Sequence, residues 1–361
     1  MSALNSFQPI DFFARRAHFV DHLAPVWHAL PMDARGLFHA PASLSDYVAG
    51  LGIEINPLRP ARKFEPLEVI PTGAGPILSC AYGDMRMAMK GAKRKHILME
   101  HGVGLTFHHP AYAGGKGSRE LASFFLAPNS LVAGKTARAI AGARQKVVGT
   151  PKMDKYMPPS PALPPNAEER IQGKGAKEKP VVCIAFHWDG SQVAPEAGNA
   201  WRHYQGVLSS LAHESGFTLI GHGHPRAIDE FAKVYEKLGI EVVRSFDDVM
   251  QRADVYVNDC SSTMYEFCVT GKAVVILNAP QFRKYVSFGL RFWDYADVGP
   301  QVEGPDGLLR AIERVLVAPE IYEEARMQAV ADLYPFLGQS AVRAAGALSS
   351  FVNGGCDDYA G

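Results

Sequence analysis

The segment Ala253–Asn278, ADVYVNDCSSTMYEFCVTGKAVVILN, sets two adjacent hydroxyls, Ser261 and Ser262, and a carboxylate, Glu266, between two short apolar runs. Asp254–Asn258 and Ala273–Leu277 read as buried strands, and Ser261–Thr270 as a helix between them, stopped by Gly271. A helix N-terminus presents unsatisfied N–H groups and a partial positive charge, and serine hydroxyls add hydrogen bonds, so this spacing suits the oxygens of a pyrophosphate. It equally suits a plain N-cap at Ser261 and a solvated or capping carboxylate at Glu266, and spacing alone leaves both readings open. A second candidate is His101, which follows the strand expected over Lys95–Glu100. An imidazole at the carboxyl end of a strand can accept a hydroxyl proton near neutral pH; a core histidine bonded to backbone is the other reading. His187 closes the apolar run Pro180–His187, with Trp188 and Asp189 next, where the ring can touch a phosphate and the indole can pack on a base or fill a gap.

Other chemistries lack their residues. The run HGVGLTFHH, with His108 and His109, has the look of a zinc segment, but no carboxylate or cysteine follows at ligand spacing, so no metal is expected. There is no Gly-x-x-x-x-Gly-Lys-Ser/Thr loop and no Gly-x-Ser-x-Gly elbow, which argues against a P-loop enzyme and an elbow-type hydrolase. Gly73–Pro76 is a turn without the dinucleotide fingerprint, and no Asp-x-Asp lies near Ser261, which disfavours a metal-dependent sugar transfer.

The elements that must position these residues alternate. After Pro180–His187 come a helix over Asn199–Glu214, strand Phe217–Gly221, helix Ala227–Leu238 stopped by Gly239, strand Glu241–Arg244 and helix Phe246–Arg252. Upstream, strands are expected at Gly36–His39, Pro76–Cys80, Lys95–Glu100, Phe124–Ala127 and Gln145–Val148, with helices at Asp21–Leu30, Ser43–Leu51, Asp84–Ala92 and Ser130–Ala141. Alternation of this kind predicts βαβ units with right-handed crossovers and parallel sheets. The Pro-, Lys- and Gly-rich stretch 151–180 reads as a linker. The expected plan is therefore an α/β chain with a Rossmann-like acceptor-side domain at 1–150, a nucleotide-binding Rossmann-like domain at 181–305, and a helical segment at 306–361 packing back across the hinge.

With 361 residues, 47% of them hydrophobic, the chain can build two cores. Lys+Arg and Asp+Glu both total 37, so nothing marks a general nucleic-acid binder. Met1–Thr150 carries 17 basic and 10 acidic residues, 17 − 10 = +7, leaving 20 − 27 = −7 for the remainder. A basic first half is compatible with an anionic acceptor and with chance asymmetry alike. Within it, RMAMKGAKRK at Arg86–Lys95 reads as a solvated helix end before it reads as a nucleic-acid contact, so a nucleic-acid acceptor is the less favoured one. Five irregularly spaced cysteines, Cys80, Cys183, Cys260, Cys268 and Cys356, without a Cys-x-x-Cys pair, suggest free thiols in a reducing compartment. The opening MSALNSFQPIDFFARR has no apolar signal region and no run of about 18 apolar residues exists, so a cytoplasmic protein is expected.

NDCSSTMYEF resembles the D-Y-S-S segment of the CDP-glycerol glycerophosphotransferase family, and Glu266–Val275 resembles the E-x4-G-x-P-V element of GT-B glycosyltransferases. Glu100–His101–Gly102 is similar to that family's W-H-G or Q-H-G segment, Val148–Pro151 to its G-x-P, and Ile220–Pro225, IGHGHP, to its H-P segment. The resemblance covers about Lys95 to Asn278. It implies a GT-B-like fold with two Rossmann-like domains facing across a cleft, no cofactor, and a CDP- or UDP-linked nucleotide-diphosphate donor as substrate. It further implies that His101 is the base on an acceptor hydroxyl, that His224 with neighbouring Arg226 contacts donor phosphate, and that Glu266 holds the donor ribose. An NDP-sugar glycosyltransferase, a UDP-sugar epimerase-like enzyme and a non-catalytic nucleotide-binding module stay open. The last draws on Leu105–Thr106–Phe107, where the family usually carries a lysine.

Overall fold

The structure, a computed structural model, describes residues 8–58, 75–88, 94–103, 122–137, 144–156, 179–191, 198–214, 216–284 and 293–354. The chain divides into two compact units. The first holds the described residues of Met1–Val103, His109–Met157 and Tyr334–Gly361; the second holds those of Pro158–Leu333.

In the first unit the order is β1 (Ile10–Phe13), α1 (Ala17–Ala29), β2 (Arg35–Ala40), α2 (Ser45–Gly50), β3 (Ile55–Pro57), β4 (Ile77–Ser79), α3 (Tyr82–Ala88), β5 (His96–Met99), β6 (Phe124–Ala127), α4 (Ser130–Thr136) and β7 (Arg144–Val147). All seven strands are parallel, ordered β3-β2-β1-β4-β5-β6-β7. Strands β1, β4, β5 and β6 are buried along their whole length, as expected when helices cover both faces of a parallel sheet. β1 and β3 go beyond the expected strands. β1 is only four residues long and is interrupted by a charge, Asp11. That carboxylate is buried because Arg94 Nη2 stands 2.5 Å from it and the Leu37 N–H donates to it at 2.7 Å.

The stretch expected as a linker opens with an ordered 3-10 helix, Pro151–Tyr156, that packs on α1; residues 157–178 of it lie outside the described residues. Asp154 in this turn accepts the N–H groups of Gly338, Ser340 and Ala341 at 2.9, 3.1 and 2.7 Å. It thereby caps the C-terminal helix Ser340–Val352, whose Phe351 stacks on Phe124 of β6 at 4.7 Å. The segment expected as one tail is thus split: this helix belongs to the first unit, while the helices before Tyr334 belong to the second.

The second unit runs β8 (Val181–Phe186), α5 (Trp201–Tyr204), α6 (Leu208–Ala212), β9 (Thr218–Gly223), α7 (Ile228–Lys237), β10 (Glu241–Val242), α8 (Phe246–Arg252), β11 (Val255–Asn258), α9 (Thr263–Cys268), β12 (Ala273–Leu277), α10 (Pro280–Lys284), β13 (Gln301–Val302), α11 (Leu308–Val317) and α12 (Glu323–Leu333). Its six parallel strands are ordered β10-β9-β8-β11-β12-β13. The helix expected over Asn199–Glu214 is broken by a 3-10 turn, Gln205–Val207, centred on Gly206, the residue with the poorest helix propensity after proline. Among the described residues no helix is long and apolar enough to cross a membrane.

Two outcomes follow. Asp154→Ala removes the acceptor of three N–H groups at a helix start and should lower unfolding free energy by about 1–2 kcal/mol in urea titrations. His96 of β5 is buried, its Nδ1 makes no hydrogen bond among the described residues, and burial, with nearby Arg94, brings its pKa from 6.5 to about 4. The folded state therefore binds fewer protons than the unfolded one between those values. The stability that neutral His96 preserves is fully present above pH 6.5 and is lost as pH falls towards 4. In His96→Phe, the slope of stability against pH across this window should flatten.

Candidate functional site

Both sheets place their first strand centrally and reverse direction beside it, between β1 and β4 in one unit and between β8 and β11 in the other. In open parallel sheets, ligands settle in the crevice outside the carboxyl ends of the strands at this reversal. In the second unit those ends carry His187, one residue past β8, and the turn Asp259–Ser262, just past β11.

Asp259 holds this crevice in shape. It is 0% exposed, its Oδ1 accepts the N–H of His187 at 3.0 Å and of Cys260 at 2.7 Å, and its Oδ2 accepts that of Ala200 at 2.9 Å. Asn258 ties the same turn from the other side, donating to the Ala185 carbonyl at 3.2 Å and accepting from the Ser261 N–H at 3.1 Å. Asn199 donates to the His187 carbonyl at 2.6 Å. Asn258 and Asp259 sit in plain view inside NDCSS, but nothing in their spacing distinguishes a buried organiser from a solvated turn.

Four side chains gather at the ends of β8 and β9. The His187 and His224 rings meet edge-to-face at 4.9 Å, the Trp188 ring lies 6.2 Å from His224, and the Arg226 guanidinium stands over the Trp188 ring at 4.7 Å. The structure thus brings His187, His224 and Arg226 together. A carbonyl can only accept, so the contact of His187 Nδ1 with the Trp188 carbonyl at 3.0 Å puts the proton on Nδ1. His224 Nδ1 accepts the Arg226 N–H at 3.1 Å, which places that neutral ring's proton on Nε2. Burial lowers the His187 pKa and Arg226 adds to this, opposed by Asp259 and the Trp188 carbonyl. The glycines of IGHGHP serve packing: a Cβ on Gly221 would stand 2.5 Å from the Tyr235 ring of α7, and one on Gly223 2.5 Å from Phe231.

The Ser261 region differs in detail from expectation. The helix begins at Thr263 and ends at Cys268, so it is six residues long, and few peptide dipoles align in it. Ser262 occupies the N-cap position without a side-chain cap bond. Ser261 Oγ accepts from the Thr263 N–H at 3.3 Å and lies 2.9 Å from Thr263 Oγ1. Glu266 is buried within α9.

His101 lies in the first unit, just past β5, with its side chain 40% exposed. Its Nδ1 is 2.7 Å from the Cys80 carbonyl, so Nδ1 carries the proton and Nε2 keeps its lone pair in the neutral ring. Glu100 Oε1 lies 3.3 Å from the same nitrogen. The backbone reading of His101 is therefore met by Nδ1 alone, and the ring keeps a basic nitrogen. Missed altogether were Arg15, just past β1, and Asp84 of α3, which are paired at 2.6 Å. They are 69 residues apart, and no local pattern joins them. His108 and His109 lie outside the described residues, among which no group of three or more His, Cys, Asp or Glu is arranged to hold a metal ion.

Two parallel sheets, each with the first strand at a central reversal, define a GT-B-like α/β protein. The chain is similar to S. aureus MnaA, solved with UDP, at TM-score 0.63 and 12% identity over 96% of this chain and 97% of that one. It is also similar to the wall teichoic acid polymerase TagF, at TM-score 0.61 and 13% identity over 96% and 88%. A third likeness is UDP-GlcNAc 2-epimerase from Neisseria meningitidis, solved with UDP-GlcNAc, at TM-score 0.55 and 12% identity over 95% and 98%. No family model and no curated protein matches the chain.

Replacing Asp259 by Ala would leave three N–H groups without their charged acceptor. Urea denaturation should show a loss of about 3 kcal/mol, and less for Asp259→Asn, which keeps a carbonyl oxygen. An unchanged midpoint for Asp259→Ala would mean that the turn is held by other contacts.

Proposed function

We propose that the protein is a GT-B-type transferase that binds a nucleotide-diphosphate donor in its second unit and moves a glycerol-phosphate or glycosyl group to an acceptor hydroxyl. The observation that carries this reading is the cluster of His187, Trp188, His224 and Arg226 at the carboxyl ends of β8 and β9, beside the strand reversal. The Nε2–H of His224 and the Arg226 guanidinium suit phosphate oxygens, and the Trp188 indole suits a base. The hydroxyls of Ser261 and Ser262 are further donors, and Glu266, on the helix that follows them, is the residue assigned to the ribose. In the first unit the acceptor hydroxyl gives its proton to Nε2 of His101 as its oxygen attacks. For a CDP-glycerol donor, a P–O bond forms to the glycerol-bearing phosphorus as the bond to the bridging oxygen breaks and nucleoside monophosphate leaves. For a sugar donor the attack falls on the anomeric carbon, and nucleoside diphosphate leaves. Glu100 stabilises the charge that arrives on the ring. The His224, Arg226 and hydroxyl donors stabilise the leaving phosphate without calling on a metal.

A second reading, an enzyme that epimerises a UDP-sugar, draws on the likeness to MnaA and the Neisseria epimerase. Thermal shift against CDP-glycerol, UDP-sugars and GDP-sugars separates the cases. We expect stabilisation by a nucleotide-diphosphate donor, and a loss of affinity of about tenfold or more in Arg226→Ala and His224→Ala. Stabilisation by UDP-sugars alone would remove the glycerophosphate version. With the donor identified, His101→Ala should lower turnover about 10²–10⁴-fold while donor binding persists; unchanged turnover would discard His101 as the base.

A further inference from the structure

The first unit has a strand reversal of its own, between β1 and β4, and the turn from β1 into α1 lies at its carboxyl edge. Arg15 sits in that turn. Its backbone N–H donates to Asp84 Oδ2 at 3.0 Å and its Nε to Oδ1 at 2.6 Å, and Asp84 is only 1% exposed. One buried carboxylate therefore fixes both the backbone and the head of the side chain. Neither Nη atom of Arg15 makes a hydrogen bond among the described residues, and the side chain is 31% exposed. An arginine oriented through Nε, with its outer donors unspent among the described residues, is prepared for an oxyanion.

Cationic side chains and partnered carboxylates both surround it. The first turn of α1 holds no acidic residue, and its N-cap, Arg16, makes no side-chain cap bond. One turn on from His18 lies His22, 4% exposed, whose Nδ1 is buried without a partner among the described residues. Burial holds that ring well below the usual histidine pKa, and the groups that push it further down are Lys152, His101, His18 and Lys155, all of cationic type. The His22 and His101 rings are 5.9 Å apart, and His101 bonds to the carbonyl of Cys80, at the start of the turn that leads to Asp84. Three carboxylates stand nearby: Asp84 bonds to Arg15, Glu100 to the His101 N–H, and Asp21 to the Tyr47 hydroxyl.

We infer that the β1–α1 turn is an oxyanion site, with Arg15 as its guanidinium contact, and that the acceptor bears a phosphate or carboxylate group near the hydroxyl presented to His101. This rests on the reading of His101 as the acceptor-side base. It assigns Arg15 a role in acceptor specificity and makes Asp84 a positioning residue.

The test uses the full chain labelled with ¹³C and ¹⁵N in histidine. Ring signals are assigned through His101→Gln, His22→Gln and His224→Gln and followed during titration with inorganic phosphate or with acetate at constant ionic strength. The His101 signals should move saturably. Arg15→Met should weaken that response about tenfold or more and leave the His224 response as in wild type, and Arg226→Met should do the reverse. A response to phosphate alone identifies a phosphoryl group, and an equal response to acetate a carboxylate. Arg15→Met leaves Asp84 buried without its cation, so Arg15→Met/Asp84→Asn, which removes both charges, is measured beside it and should show the same loss. A His101 ring indifferent to both anions, or an Arg15→Met chain that responds as wild type, overturns the site. Nucleotide titration read at His224 judges the transferase reading separately, so each can fail without the other.

Discussion

Much of the second unit hangs on the carboxylate of Asp259. A parallel sheet whose order reverses beside its first strand leaves the ends of β8 and β11 without a shared crossover to cover them. The backbone N–H groups there must find acceptors other than a strand ladder, because an unpaired buried donor is expensive. Asp259 supplies three of those bonds from one side chain and so fixes where His187 leaves the sheet. From that point Trp188, His224 and Arg226 follow by packing.

The first unit solves the same problem with the same chemistry. Asp84, buried shortly after β4, accepts the N–H of Arg15, shortly after β1, as Asp259 after β11 accepts that of His187 after β8. In each case a carboxylate past the fourth strand organises the exit of the first. The consequences differ with the residue that is held. In the second unit it is an imidazole whose pKa burial lowers, and in the first it is a guanidinium whose outer nitrogens are unspent among the described residues. Two crevices of like architecture thus hold different side chains at the same place.

Local chemistry made a good part of this readable. Apolar runs such as FFLA at Phe124–Ala127 and AVVIL at Ala273–Leu277 coincide with β6 and β12, since a strand buried on both faces has no use for polar residues. FDDVMQR at Phe246–Arg252 is a helix as read, capped by Ser245. Short or charged elements were harder. β1 hides Asp11 behind a buried pairing with Arg94, 83 residues away, and β13 is two residues long. The helix over Asn199–Glu214 has helical spacing throughout, yet Gly206 turns its middle into a 3-10 segment.

What the sequence by itself determined was the alternation of strand and helix, hence parallel α/β units, and the set of histidines and serines placed just past strand ends. Periodicity and turn residues act over a few positions, so they need no knowledge of the rest of the chain. Only the tertiary structure decided the strand order, the gathering of His187, Trp188, His224 and Arg226, and the return of Ser340–Val352 to the first unit through Asp154. It alone, too, made Arg15 and Asp84 partners and gave Asp259 its three bonds. Those facts depend, the Asp259–Cys260 bond apart, on contacts between residues far from one another in the chain, up to the 187 positions between Asp154 and Ala341. A buried charge becomes affordable only when such a distant partner arrives, and its identity as Asp or Arg says nothing locally about where that partner will be.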